Sequence, residues 1–215
     1  MDFKRQEGIF NPKKIKKSIA VIGSGSVGSF TALALAKMGA NVKNIYDDDS
    51  IESHNIPNQF FRITDVGKKK TTALKELLKD FADIKVNANG RVDLSTIFDD
   101  DIVVSSVDSM LARKTIWEQV KKSKPEFYID TRMGGKVFSI FVIDLEDKSK
   151  CVAYEKTLID DKKTEAIPCT EKTIIFNVLG LSSFVCNQVS KICNNQTTTE
   201  MTHFDYENLI MVKSK

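Results

Sequence analysis

Ser18-Ile19-Ala20-Val21-Ile22-Gly23-Ser24-Gly25-Ser26-Val27-Gly28-Ser29 is the stretch that decides how this chain folds. Ile15–Ile22 is a short apolar run ending at Gly23 and reads as a buried parallel strand. Ser29–Met38 carries good helix formers and stops at Gly39, a natural terminator. Strand, glycine turn and helix in that order are the context a dinucleotide-binding fingerprint requires. Gly23 makes the tight turn, Gly25 lets backbone approach phosphate, and Gly28 lets helix pack on strand. Ser26 lies in the turn that opens the helix, whose leading amides offer donors and partial positive charge to phosphate. Asp47 lies nineteen residues after Gly28, at the end of a strand expected over Val42–Tyr46, where a carboxylate can accept ribose hydroxyls.

Outward from this unit, helical spacing covers Lys69–Phe81, with Ala73, Leu74, Leu77, Leu78 and Phe81 on one side. Val86–Asn89 and Ile102–Val107 read as strands separated by a helical turn near Leu94–Phe98, followed by a helix over Met110–Lys122 and a strand over Phe127–Asp130. Val137–Asp144 alternates as an antiparallel strand. Ser149–Ile167 is a polar connection with little periodicity, Thr173–Cys193 a long apolar helix, and Asn208–Val212 a closing strand. The expected class is α/β: a Rossmann-like, mostly parallel twisted sheet with helices on both faces and an antiparallel C-terminal extension. All 215 residues fit a single domain. It divides into an N-terminal arm (1–17), a core (18–130) and an extension (131–215) that carries the crossing loop (149–167) and the long helix.

A net charge of +3 is too small to argue for nucleic acid. The N-terminus Met1-Asp2-Phe3-Lys4-Arg5 lacks the apolar core of a signal peptide, and no window approaches the about 18 apolar residues that cross a bilayer. The four cysteines (Cys151, Cys169, Cys186, Cys193) form no Cys-x-x-Cys pair, so no zinc site is expected and reduced thiols in the cytoplasm are the reading. Cys186 and Cys193, seven residues apart on one helical face, read as core. Lys13, Lys14, Lys16, Lys17 and the run Lys68–Lys70 read as solvated surface, Lys70 excepted. His54 and His203 have no partner spacing.

Asp47-Asp48-Asp49-Ser50-Ile51-Glu52-Ser53-His54-Asn55-Ile56-Pro57-Asn58-Gln59 resembles the Asp-x-Asp-x-Val-Glu-x-x-Asn-x-x-Arg-Gln signature of ThiF/MoeB/HesA-type adenylyltransferases, bacterial relatives of the ubiquitin-activating enzymes. In order after it, Asp65-Val66-Gly67-Lys68-Lys69-Lys70 is similar to that family's Gly-x-x-Lys motif, and Asp108-Ser109-Met110-Leu111-Ala112-Arg113 to its Asp-x-x-x-x-Arg. The resemblance spans roughly Arg5 to Asn194 and implies ATP with magnesium in place of NAD. Implied too is a reaction that joins the C-terminal carboxylate of a ubiquitin-like or sulfur-carrier protein, ending in Gly-Gly, to the α-phosphate. Carboxylate attack on a polyphosphate must overcome charge repulsion, so the site needs cations. By motif position Lys70 is that cation, Asp108 holds magnesium or aligns the α-phosphate, Asp47 takes the ribose and Asp49 the metal side. Asn55 and Gln59 line the phosphates. Asp108 also fits an N-cap of the next helix, a role compatible with the first.

One departure from the signature is Asn58, which stands where the family has arginine, and an amide does not replace a guanidinium on phosphate. Arg62 is a candidate to compensate. The family's two-fold dimers place an N-terminal arginine in the partner's site, which implies a homodimer with Arg5 acting in trans. Asp130-Thr131-Arg132-Met133-Gly134-Gly135 resembles a motif of a phage and bacterial-operon branch, with Arg132 facing the substrate channel. Ile167-Pro168-Cys169-Thr170 resembles the surroundings of the thioester-forming cysteine in eukaryotic relatives. Cys169 is thus either a nucleophile near a helix N-terminus or a structural thiol. Two other readings stay open: a catalytically degraded partner subunit or nucleotide-binding scaffold, which Asn58 favours, and an NAD-dependent oxidoreductase, which leaves Lys70 and Asp108 without a role.

Overall fold

The computed structural model of this protein describes residues 1–159 and 173–214. In chain order it contains β1 (Ser18–Ile22), α1 (Ser26–Met38), β2 (Asn41–Tyr46), α2 (Lys70–Phe81), β3 (Asn87–Asn89), β4 (Ile102–Ser105), α3 (Met110–Ser123) and β5 (Phe127–Gly134). There follow β6 (Val137–Asp144), α4 (Lys148–Glu155), α5 (Ile175–Cys193), β7 (Met201–Asp205) and β8 (Ile210–Ser214), and two short 3-10 turns lie at Ser53–Asn55 and Ile63–Asp65. One eight-stranded sheet runs β3-β2-β1-β4-β5-β6-β7-β8. Its first five strands are parallel and the rest antiparallel, which is the expected Rossmann-like sheet with its extension. The expected boundary at 130 falls inside β5, so core and extension share a strand.

Every residue of β1 is buried because the strand is paired on both edges and covered on both faces. Ile19 and Val21 point into one core with Leu35, Leu74 and Val185, whereas Ala20 and Ile22 point into a second with Ile116, Trp117 and Tyr154. That period-2 split of an all-apolar strand is what a doubly covered parallel sheet demands. Trp117, Tyr128 and Tyr154 meet with ring centroids 4.8–5.5 Å apart, closing the second core under α3 and α4.

The structure departs from the sequence reading at three places. The polar connection begins with a helix: Asp147 caps α4 by accepting from the Ser149 and Lys150 amides at 2.9 and 3.3 Å. With only Tyr154 buried, α4 shows too little apolar periodicity to be read from sequence. Leu94–Phe98 holds a simple turn, not a helical one. β7 was not foreseen, since Met201-Thr202-His203-Phe204-Asp205 has no apolar run, and its strand character comes from pairing with β6 and β8. The expected loop's residues 160–167 and Cys169 lie outside the described residues.

The N-terminal arm lies at the far end of α1 from the glycine turn. Gly39 ends α1 in the left-handed region (φ 79°), and a Cβ there would meet Pro12 at 2.6 Å and Phe3 at 2.7 Å. Gln6 donates to the Met38 carbonyl at 2.7 Å, and Phe10 is buried in the core. Among the described residues, no helix is long and apolar enough to cross a membrane.

Candidate functional site

The glycine turn is held by contacts that tolerate no side chain at two positions. Gly23 has φ 86°, donates to the Tyr46 carbonyl at 2.8 Å, and a Cβ on it would come 2.6 Å from the Ser106 carbonyl oxygen. A Cβ on Gly28 would overlap the Gly23 carbonyl. At Gly25 a Cβ would meet nothing within 4 Å, so that glycine faces open space. Ser26 opens α1, which has no side-chain N-cap, leaving its leading amides for an anion.

Asp47 knits this turn to the loop after β2. Its Oδ2 accepts from the Ser24 amide at 2.7 Å and its Oδ1 from the Asp49 amide at 2.8 Å. Each carboxylate oxygen keeps a further lone pair, so ribose hydroxyls can still be accepted. Asp49 in turn pairs with Lys70, whose Nζ lies 2.7 Å from Oδ2 and whose side chain is only 9% exposed. Lys70 is the first residue of α2, where the helix macrodipole disfavours a cation. Its placement therefore does not serve the helix. The Lys70 amide donates to the Asp49 carbonyl at 3.0 Å, which fixes that backbone beside Asp49. Asp48 pairs with Arg91 at 3.1 Å, so the clustered carboxylates of Asp47, Asp48 and Asp49 all have protein partners.

Asn55 is buried, and its side-chain oxygen accepts from the Glu52 amide at 2.9 Å, so it shapes the loop. The Asn58 and Gln59 amides both donate to the Asn55 carbonyl. The Asn58 side chain makes no hydrogen bond among the described residues, and the Gln59 side-chain oxygen is buried without a partner. Arg62, the candidate to compensate, is ion-paired to Asp80 on α2.

Asp108 follows β4, beside the glycine turn that Ser106 and Val107 abut. It is exposed, and it does not cap α3. Ser109 does, accepting from the Ala112 amide at 3.1 Å. Asp108 makes no ion pair or hydrogen bond among the described residues, so its carboxylate is free for a ligand. Val107 just before it is gripped by Arg113, which also pairs with the fully buried Asp130.

The sequence profile of the ThiF family matches residues 7–212. The chain belongs to the ThiF family. Among curated relatives, ubiquitin-like modifier-activating enzyme 5 of Arabidopsis thaliana is 35% identical over 81 residues, covering 37% of this chain and 19% of that protein. The ATP-dependent ubiquitin transferase-like protein Cap2 of Vibrio cholerae is 33% identical over 79 residues, covering 35% and 14%. The chain thus spans about a fifth or less of these relatives' own lengths. The fold is that of E. coli MccB crystallised with ATP, at TM-score 0.71 and 15% identity, covering 95% of this chain and 65% of MccB. PaaA superposes with TM-score 0.72 at 16% identity, covering 95% and 74%.

Within this ThiF domain, the glycine turn, Asp47, Asp49 and Lys70 come together through the contacts above, with Asp108 on the adjoining strand end. Arg5 stands apart. It is exposed on the arm, near the Met38 end of a 13-residue helix that is about 20 Å long, so it cannot serve its own chain's glycine turn. Arg132 was expected to face a channel but folds back, donating to Asp130 at 2.8 Å and to Thr157. Cys186 and Cys193 are pushed up to about 12 and about 11 by burial, which keeps both as unreactive thiols at neutral pH. His203 meets Ser139 at 3.0 Å and His54 lies 3.5 Å from Glu52. The contacts that Asp130 and Thr157 make with Arg113 and Arg132 carry no signal in the sequence, because nothing in their spacing links β5 or the end of α4 to β4.

Proposed function

We propose that this domain binds ATP and joins the C-terminal carboxylate of a ubiquitin-like or sulfur-carrier protein ending in Gly-Gly to the α-phosphate. The carboxylate oxygen bonds to the α-phosphorus, the bond to the bridging oxygen of the β-phosphate breaks, and pyrophosphate leaves with that electron pair. The observation that carries this reading is Lys70, a buried ammonium at an unfavourable helix position, tethered through Asp49 and Asp47 to the glycine turn. A phosphate undergoing transfer needs a cation placed at its developing charge. The α1 amides and Gly25 would take the phosphates, Asp47 the ribose, and Lys70 would leave Asp49 for the transferring phosphate.

The residues fit magnesium as well, since Asp108 offers a carboxylate free of protein partners. Bound there, the ion would neutralise charge developing on the leaving pyrophosphate. Asp49, once released by Lys70, would face the same side. Transfer of the acyl group to the Cys169 thiolate, with loss of AMP, is the step we assign to that residue. Arg5 we assign to the partner's site of a homodimer in the cytoplasm, because its own turn lies a helix length away. Neither nucleic acid nor membrane enters this reading.

Asn58 favours a second reading, a partner subunit whose own site is degraded, since it brings no cation where the family motif has arginine. Pyrophosphate exchange with labelled pyrophosphate, magnesium-ATP and Gly-Gly-ended carriers separates the two. The proposed reading expects carrier-dependent exchange that Asp108→Ala lowers by about 10²-fold. ATP binding without exchange for any carrier would favour the degraded subunit.

A further inference from the structure

We propose that the cluster of the buried Arg113 and Asp130 with the partly buried Arg132 is a positioning unit that sets the orientation of Asp108 and ties the end of α4 to it. The inference rests on the role assigned above to Asp108.

Asp130 is wholly buried on β5 and Arg113 nearly so on α3. One oxygen of Asp130 accepts from Nη1 of Arg113, the other from Nε of Arg132 at 2.8 Å. Nη1 of Arg113 also donates to the Thr131 carbonyl at 2.9 Å, and its Nη2 donates to the Val107 carbonyl. That last contact matters most. The Val107 carbonyl and the amide of Asp108 share one planar peptide unit, so an anchored carbonyl fixes the plane from which the Asp108 side chain projects. Thr131 adds a second brace on the same strand end, its hydroxyl donating to the Ser105 carbonyl at 3.0 Å.

The other half of the unit reaches α4. Nη1 and Nη2 of Arg132 donate to the Thr157 carbonyl at 3.1 Å and hydroxyl at 2.7 Å. Its guanidinium lies 4.4 Å from the Phe141 ring centroid and 5.8 Å from that of Tyr154. Two guanidiniums on one buried carboxylate are a costly way to stabilise a fold, and apolar side chains often do as well or better. What the cluster provides that they cannot is a fixed direction. Held on a single aspartate, the two guanidiniums make six N–H···O bonds that reach β4's exit, β5 and the end of α4.

Arg113→Lys keeps a charge for Asp130 but cannot donate to three acceptors in the planar arrangement of a guanidinium. Thr157→Val removes one acceptor of Arg132 and no charge, and it serves if Arg113→Lys fails to fold. The readout is ATP affinity by calorimetry with and without magnesium, alongside the thermal midpoint. We expect Arg113→Lys to cut the magnesium-dependent gain in affinity by about tenfold while magnesium-free ATP affinity stays within about twofold of the native chain. Thr157→Val lowers the same gain by about threefold. Equal losses with and without magnesium, or an unchanged gain in both variants, would overturn the proposal. Asp108→Ala is the control. If it keeps the full magnesium-dependent gain, the Asp108 assignment has failed first, and this inference falls with it.

Discussion

Gly28→Ala is expected to destabilise the domain and remove nucleotide binding together. The added Cβ would overlap the carbonyl oxygen of Gly23, an atom fixed by the turn's own left-handed residue at φ 86°. Backbone is in the way, so no side-chain rotation relieves the clash, and α1 must move off β1. Overpacking of this kind costs on the order of 3 kcal/mol, a drop of about 6–12 °C in thermal midpoint for a chain this size. Gly25→Ala is the matched control, since its Cβ would point into open space. It should melt like the native chain and yet bind ATP less well. A Gly28→Ala chain with native melting and native binding would show that the turn is not rigid as described.

Lys70→Ala is expected to spare the fold and remove the chemistry. The side chain is buried, but its partner Asp49 is 61% exposed and stays hydrated when the ammonium is gone. The loss in stability should stay near about 1 kcal/mol, the scale of a pair with one exposed member. Pyrophosphate exchange should fall by about 10²–10³-fold, the effect of deleting one preorganised donor to a developing charge. Lys69→Ala supplies the comparison, because Lys69 is exposed and donates to the Asp48 carbonyl at 2.6 Å. It should leave exchange nearly intact. Equal losses from both lysines would mean that general positive charge, not the placed ammonium, is at work.

Much of the fold was legible because β1 and the turn after it obey local rules. An apolar run that stops at Gly23, followed by helix formers that stop at Gly39, admits few arrangements, and the parallel sheet follows. β7 and α4 were not legible for an opposite reason. β7 is a strand because β6 and β8 flank it, and α4 is a helix because Asp147 caps it and Tyr154 packs beneath Trp117. Those contacts exist only after the sheet has formed.

The site divides in the same way. Motif order proposes Lys70 and Asp108, and strand position proposes Asp47, but neither shows what holds them. That Ser109 rather than Asp108 caps α3 is visible only in the geometry, and it is this that frees the Asp108 carboxylate. That Arg62 is committed to Asp80 and Arg132 to Asp130 could not be read from spacing, since both arginines lie at positions where a free cation was plausible. Long charged side chains choose partners across elements, and sequence separation carries little information about that choice.

The most direct test of the account is calorimetric titration of the native chain with magnesium-ATP and, separately, with NAD. A ThiF-type adenylylation site with Lys70 at its phosphates predicts saturable magnesium-ATP binding and no saturable binding of NAD. Saturable NAD binding with none for ATP would contradict it.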